Sequence, residues 1–170
     1  MVEATGSSTI RDELLALAAK HIEAFDSYTE VISDDEKKHY ARYTTEQGNR
    51  LTVAKAPTMG ASIEKAKAFY ANLVANATAH NDALTMEILP EHEGNQVIYT
   101  HTKSPSMMIS NRVTFSINHH IDNTDGSYTV VGSSKGNEAI AAANKSKKGK
   151  AVEANVIIDY VHFQPIDGGL

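Results

Sequence analysis

Histidine is the residue type in this sequence best suited to metal chemistry, since there are eight histidines and no cysteine. A zinc site would therefore need histidine and carboxylate ligands alone. His119 and His120 are adjacent, so in a strand their side chains point to opposite faces and cannot chelate one ion together. The other histidines show neither HxH nor HExxH spacing. We predict no metal site and interpret the histidines as structural or surface residues.

Motifs for covalent catalysis and nucleotide binding are absent from the sequence. No serine lies in a G-x-S-x-G elbow, and there is neither a P-loop nor a G-x-G-x-x-G run. Asp34, Asp35 and Glu36 are followed by lysines, a pattern typical of a solvated helix start. We therefore predict no catalytic residues and no cofactor.

Asp159 is the one carboxylate in the apolar segment 155–163. Burial would raise its pKa and suit it to act as a general base, whereas an ion pair with a buried arginine such as Arg112 would keep it charged. We favour the ion pair, because strand ion pairs are commoner than catalytic carboxylates.

A chain of 170 residues has the size of one domain and can bury a substantial core. We expect a disordered lead over residues 1–8 and a single domain over residues 9–170. The hydrophobic fraction of 41% and the charged fraction of 22% are ordinary for a globular protein. The N-terminus does not have the pattern of a secretory signal, and no apolar run approaches about 18 residues, so we expect a cytoplasmic protein.

The net charge of −5 argues against nucleic acid as a partner, because phosphate neutralisation needs a basic surface. The local basic cluster comprises Lys145, Lys147, Lys148 and Lys150. This cluster fits a solvated loop. It also fits a patch that contacts anionic lipid headgroups, where each charge is worth about 1 kcal/mol near a membrane surface.

Hydrophobic periodicity predicts two helices on either side of a hairpin. Apolar residues recur at helical spacing after Thr9, a potential N-cap, which predicts a helix over residues 9–27. Residues 37–57 alternate around Gly48, which predicts a β-hairpin. A second helix is predicted to begin at Ser62 and to end near residue 80.

The second half of the chain is predicted to form strands joined by short turns. These strands span residues 83–89, 96–103, about 109–121, 127–134 and 151–165, the last being the longest. Asp125-Gly126 predicts a tight hairpin turn, and a helical turn is expected over residues 138–143. Because helices and strands are segregated along the chain, we predict an α+β fold with an antiparallel sheet.

The late strands carry an informative mixture of side chains. Alternation places Val113, Phe115 and Ile117 on one face and polar side chains on the other, whereas residues 155–163 are apolar on both faces. A sheet of this kind fits a lined cavity, and it fits an ordinary two-sided core equally well.

Several segments resemble the START family, the lipid-transfer domains related to steroidogenic acute regulatory protein, and the wider Bet v 1-like helix-grip superfamily. The similarity is clearest over residues 95–135, where Tyr99-Thr100-His101 ends a strand and Asn111-Arg112 opens a long one. The run DGSYTVV at residues 125–131 is similar to a family signature. Residues 45–48 and 163–169 are also similar to family segments.

The sequence departs from the family pattern in three places. Val113 stands where the family usually has an aspartate, and there is no tryptophan. Family members continue after the Gly168-Gly169 pair into a long C-terminal helix, which this sequence lacks. The resemblance therefore implies either a shortened gene product or a sheet closed by the helix of residues 9–27 or by a partner.

The resemblance implies a curved antiparallel sheet with helices on one side, enclosing a lipid, sterol or other hydrophobic ligand for binding and transfer or sensing. Apolar ligand surface removed from water would contribute about 25 cal/mol per Å². Arg112 would suit a carboxylate or phosphate, since its guanidinium is bidentate. The candidate ligand-binding residues are Tyr99, His101, Met107, Met108, Arg112, Thr114, Phe115, Ser116, Tyr128, Val130, Asp159 and Tyr160, and Val97 is expected to line the same cavity.

Met107 and Met108 are adjacent in a turn-like segment between two predicted strands. START-like domains carry a mobile loop at the cavity mouth at this point. The resemblance therefore implies that the pair covers the opening or makes transient membrane contact, through residues 104–108 and the lysines of residues 145–150. The alternative is that both side chains fold back onto the core.

Two other functions stay open from the sequence. A helix-grip enzyme of the cyclase or hydrolase type, acting on a small aromatic substrate, would use Tyr99, His101 or Asp159 as acid–base groups. A protein-interaction module, such as a chaperone co-factor, would use an uncovered apolar face of the sheet.

Overall fold

The computed structural model describes residues 5–24, 60–79 and 81–166. Its helices and strands, in chain order, are α1 (Thr5–Glu23), α2 (Ile63–Ala71), α3 (Leu73–Thr78), β1 (Leu84–His92), β2 (Asn95–Thr102), β3 (Arg112–Asp122), β4 (Tyr128–Ser133), α4 (Glu138–Ala143), α5 (Lys145–Lys148), β5 (Val152–Glu153) and β6 (Asp159–Phe163). The predicted hairpin of residues 37–57 lies outside the described residues. The described part of the chain has the α+β class that the sequence predicts.

The strands form one sheet in the order β1-β2-β3-β4-β6, and each neighbouring pair in this order is antiparallel. β5 adds a short parallel pairing with the start of β3. With 11 residues, β3 is the longest described strand and runs through the middle of the sheet. The antiparallel sheet is therefore confirmed, with β3 close to the predicted span of residues 109–121.

Two tight turns have the backbone geometry that their sequences favour. Glu93 and Gly94 join β1 to β2 with φ angles of 51° and 75°, the left-handed values that a two-residue hairpin turn needs. In the turn between β3 and β4, Gly126 has a φ of 81°, and the Asp125 carboxylate accepts hydrogen bonds from the N–H and the hydroxyl of Ser127. The predicted Asp125-Gly126 turn is confirmed.

The predicted long final strand is wrong, because the chain leaves the sheet between β5 and β6. The N–H group of Val152 donates to the carbonyl of Asn111, just before β3, and that of Ala154 donates to the carbonyl of Val113 on β3. Val156 then exchanges hydrogen bonds with Ser134, beyond the end of β4. The apolar residues predicted to form one long strand are thus divided between β5, which pairs with β3, and β6, which pairs with β4, and the segment that joins them.

The second predicted helix begins where expected and is interrupted once. Ser62 is the N-cap of α2, and its hydroxyl accepts a hydrogen bond from the Lys65 N–H at 3.3 Å. The side-chain amide of Asn72 donates to the carbonyl of Ala68 at 3.0 Å, which competes with the helical backbone and separates α2 from α3. The first helix, α1, begins at Thr5, before the predicted Thr9 cap.

Helices cover both faces of the sheet. Helix α4 packs against a buried apolar cluster on one face, which we call the α4 face. Helix α2 packs against a second cluster on the other face, which we call the α2 face. The α4-face cluster comprises Leu89, Val97, Tyr99, Val113, Phe115 and Ala151, with Ile140 and Ala141 of α4 against it, and the α2-face cluster comprises Ala66, Tyr128 and Val130.

The register of β3 shows that these clusters lie on opposite sides. Phe115 pairs with Tyr99, whereas His120 pairs with Val130. Residues 115 and 120 are separated by an odd number of positions in one strand, so their side chains point to opposite faces. The expectation of helices on one side of the sheet is therefore wrong for the described helices.

Candidate functional site

The connection between β2 and β3 is a loop with a strongly exposed apolar tip. We call residues 103–111 the methionine loop. The side chains of Met107 and Met108 have relative exposures of 105% and 96%, and Ile109 is 53% exposed. Soluble domains do expose single apolar side chains, but three in succession form a patch that favours an apolar contact. The alternative that the methionines fold back onto the core does not hold.

Polar side chains hold the base of the methionine loop. The Oδ1 of Asn111 accepts a hydrogen bond from the Ser104 N–H at 2.9 Å, which closes the loop. Inside it, the hydroxyls of Ser104 and Ser106 accept from the N–H groups of Ser106 and Met108 at 3.3 and 3.2 Å. Because these bonds set the backbone, the methionine side chains do not need to pack inward.

The basic residues form a second segment beside this loop. We call residues 145–150 the lysine segment. The Tyr99 hydroxyl donates to the carbonyl of Lys147 at 2.9 Å, and the Lys147 ammonium lies 2.6 Å from Glu87 and 5.7 Å from the centroid of the Tyr99 ring. Desolvation raises the pKa of the Tyr99 hydroxyl, so Tyr99 is a protonated donor at neutral pH. These contacts fix the lysine segment to β1 and β2.

Asn111 connects the two segments. Its side chain closes the methionine loop, and its carbonyl accepts the Val152 N–H at 2.9 Å, directly after the lysine segment. Between the two segments lies an open cleft of about 580 Å³. We call it the loop cleft, and it is lined by His101, Lys148, Lys150, Ala151 and residues 104–107 and 109–111.

A different group of titratable side chains lies on the α2 face. Asp159 is exposed by accessible surface, but neighbouring atoms crowd its carboxyl group. This desolvation raises the pKa of Asp159, and a hydrogen bond from the Tyr160 backbone partly offsets the shift. Desolvation, followed by the nearby charge of Asp159, raises the pKa of Tyr70 to about 12. Asp159 and Tyr70 are therefore near neighbours.

A hydrogen-bonded chain lies on the same face at the end of β3. The His120 ring joins the Tyr128 hydroxyl at 2.6 Å through Nδ1 and the Gln96 side-chain oxygen at 3.1 Å through Nε2. Desolvation lowers the pKa of His120. A neutral ring that accepts from Tyr128 and donates to Gln96 satisfies all three groups, so the chain is structurally complete.

The predicted ion pair between Arg112 and Asp159 is wrong. Arg112 is exposed, and its guanidinium donates to the carbonyl of Ser110 at 2.6 Å. Asp159 pairs in register with Gly132, which pairs with Asn118. Six positions of β3 therefore separate the two charges, about 20 Å along the strand.

The predicted ligand-binding residues divide between three places. Met107 and His101 line the loop cleft, Met108 lies at the exposed tip of the methionine loop, and Arg112 begins β3 directly after the loop. The α4 face carries Tyr99, Phe115 and Tyr160, and the α2 face carries Thr114, Ser116, Tyr128, Val130 and Asp159. Since the faces of one sheet point apart, these residues do not line a single cavity.

The core side chains among them are already packed. Val97 and Phe115 are 0% and 1% exposed within the α4-face cluster. We therefore assign them to the core and correct the expectation that they line a ligand cavity. The sequence does not predict that Asn111 closes the methionine loop or that the Tyr99 hydroxyl holds the lysine segment. An asparagine directly before a predicted strand is the one signal for the first role, and the second has no local signal.

Within residues 5–24, 60–79 and 81–166, no group of three or more histidine and carboxylate side chains is placed to hold a metal ion. None of the helices in these ranges combines the length and apolar character needed to cross a membrane. No protein-family model matches the chain, and no curated protein matches it significantly. The site is therefore interpreted from its own geometry.

Proposed function

We propose that this chain binds a lipid or another hydrophobic small molecule, and that the methionine loop and the loop cleft form the contact site. The observation that carries the proposal is the full exposure of Met107 and Met108 beside an open cleft. The antiparallel sheet and the similarity of residues 95–135 to START-like segments support a START-like sheet as part of the proposal, with the packing of α2 and α4 on opposite faces as a departure from the helix-grip arrangement.

The energetic argument rests on the apolar area at the loop tip. Burying a methionine side chain fully stabilises a complex by about 1.5–3 kcal/mol. Methionine also adapts to irregular apolar surfaces, which suits contact with acyl chains. Since polar bonds hold the loop backbone, the two side chains can reorient around a ligand at little cost to the fold.

The ligand is proposed to lie in the loop cleft, at the end of the sheet where β3 begins. The α4-face cluster between Val97 and Phe115 has no room for it, because both side chains are fully packed. The loop cleft has room for part of a small amphiphile at about 580 Å³. Transfer between membranes would follow from exchange through this open end.

The first test is to identify what the purified protein carries, by native mass spectrometry and organic extraction. The second compares binding of a fluorescent fatty-acyl probe to the wild type and to Met107→Ser/Met108→Ser. We expect at least about tenfold weaker binding in the double variant, from the loss of two methionine contacts.

The matched control is Ile22→Ser/Ile166→Ser. These side chains are 51% and 45% exposed, and Ile166 borders the turn near Gly126, at the opposite end of β3. We expect wild-type binding from the control variant. Equal affinity in the methionine variant, together with a ligand-free purified protein, would refute the proposal.

An acid–base enzyme receives no support from the proposed catalytic groups. The Tyr99 hydroxyl is used in the bond to Lys147, and His101 shares its face of the sheet with Tyr99. Asp159 lies on the opposite face. The three groups therefore do not converge on one substrate.

A further inference from the structure

We infer that the loop cleft binds an anionic phosphate monoester, and that the ligand is an amphiphile with such a headgroup. The inference rests on the proposed function for the apolar part of the ligand, whereas the phosphate site rests on the charges and donors of the cleft itself.

The charge of the cleft is opposite to that of the whole chain. Lys148 and Lys150 line it, and none of its lining residues is a carboxylate. The chain as a whole has a net charge of −5. A cationic cleft on an acidic protein favours an anion at that one place, because repulsion disfavours anions over the rest of the surface.

The two lysines differ in how far the protein neutralises them. Lys148 forms an ion pair with Glu153 at 3.5 Å, a distance at the outer limit of a hydrogen bond, and its side chain remains partly exposed. Lys150 is exposed and has no carboxylate of the described residues within ion-pair distance. Lys147 is held by Glu87 instead. Positive charge therefore remains available at Lys148 and Lys150 for a ligand.

Serine hydroxyls supply neutral donors at the same cleft. Those of Ser104 and Ser106 accept hydrogen bonds from backbone N–H groups. A hydroxyl that accepts one bond still has its own proton to donate. Phosphate oxygens accept several hydrogen bonds at once, so two hydroxyls beside two ammonium groups match a phosphate better than a single carboxylate.

Apolar side chains line the other part of the cleft. Pro105, Met107 and Ile109 belong to the same lining as the two lysines. A ligand that satisfies both parts needs an anionic head and an apolar tail. The cleft therefore selects for amphiphiles with an anionic phosphate monoester over neutral sterols and over zwitterionic headgroups.

The experiment measures binding of four soluble probes by calorimetry. Inorganic phosphate and glycerol 3-phosphate carry the charge alone, dihexanoylphosphatidic acid adds tails, and dihexanoylphosphatidylcholine has tails with a zwitterionic head. The test variant is Lys148→Gln/Lys150→Gln. Lys20→Gln/Lys65→Gln is the control, with the same charge change on α1 and α2.

We expect the wild type to bind the phosphatidic acid most tightly. The test variant should lose about tenfold in affinity for it, since hydrogen bonds to charged groups are the stronger ones, and should keep its affinity for the phosphatidylcholine. The control variant should match the wild type with every probe.

The remaining outcomes separate this inference from the proposed function. Equal binding of both amphiphiles, unchanged in the test variant, would overturn the phosphate site and leave lipid binding intact. Lysine-dependent binding of glycerol 3-phosphate or inorganic phosphate, without any gain from tails, would support the phosphate site, identify a soluble source and refute lipid binding. No binding of any probe would overturn both.

Discussion

The Tyr99 hydroxyl provides a sharp test of how the lysine segment is held. Tyr99→Phe removes one atom, the oxygen that donates to the Lys147 carbonyl at 2.9 Å, while the ring remains in the buried cluster with Phe115. A typical hydrogen bond contributes about 0.5–1.5 kcal/mol net, and a partly buried carbonyl left without a donor costs somewhat more. We expect the free energy of unfolding to fall by about 1–2 kcal/mol.

Two measurements separate this role from a direct contact with ligand. Chemical denaturation gives the global stability change, and amide hydrogen exchange should accelerate more over residues 145–150 than in β3, where the slowest amides report only that global change. Tyr160→Phe is the matched control, since the Tyr160 hydroxyl has no hydrogen-bond partner among the described residues. Unchanged exchange in the lysine segment of Tyr99→Phe would refute the anchoring role.

Two further predictions concern the sheet itself. Because desolvation raises the folded-state pKa of Asp159, its charge costs stability once the pH rises through that pKa, and below a pH of about 4 the cost disappears. Asp159→Asn should therefore stabilise the protein at pH 7 and have little effect at pH 3.5. If the unfolding free energies of the variant and the wild type differ by the same amount at both pH values, the raised pKa of Asp159 is contradicted. A Cβ on Gly132 would overlap the Asn118 side chain and lie 3.2 Å from the Ile117 carbonyl. Gly132→Ala should lower the unfolding free energy by about 1–3 kcal/mol in thermal or chemical denaturation, and a neutral result would show that Asn118 can move aside.

Local pattern was sufficient to predict the middle of the sheet. Val113, Phe115 and Ile117 alternate with polar residues, and the structure buries all three. The Asp125-Gly126 turn was equally predictable, since its left-handed backbone depends on residues adjacent in sequence. Features of this kind need only neighbouring residues.

Features that depend on long-range register could not be predicted in this way. Alternation gives the face of a residue within its strand, but not how far along a neighbouring strand it lies. Arg112 and Asp159 were therefore paired wrongly. The bond from Tyr99 to Lys147 joins residues 48 positions apart, and only the folded chain brings them together. The two halves of the loop cleft were visible in the sequence as paired methionines and clustered lysines, yet their closeness depends on β5 pairing with β3.

The architecture separates binding from stability along β3. The methionine loop precedes Arg112, whereas the turn that holds Ser127 follows Asp122, about 35 Å away for a strand of 11 residues. Gly132 pairs with Asn118, about 20 Å from the loop. Effects of substitutions separated by more than about 10 Å without shared contacts usually add. A variant that combines Gly132→Ala with Met107→Ser/Met108→Ser should therefore show the stability loss of the first and the binding loss of the second, and a combined effect far from the sum in either assay would mean that the loop and the sheet are coupled.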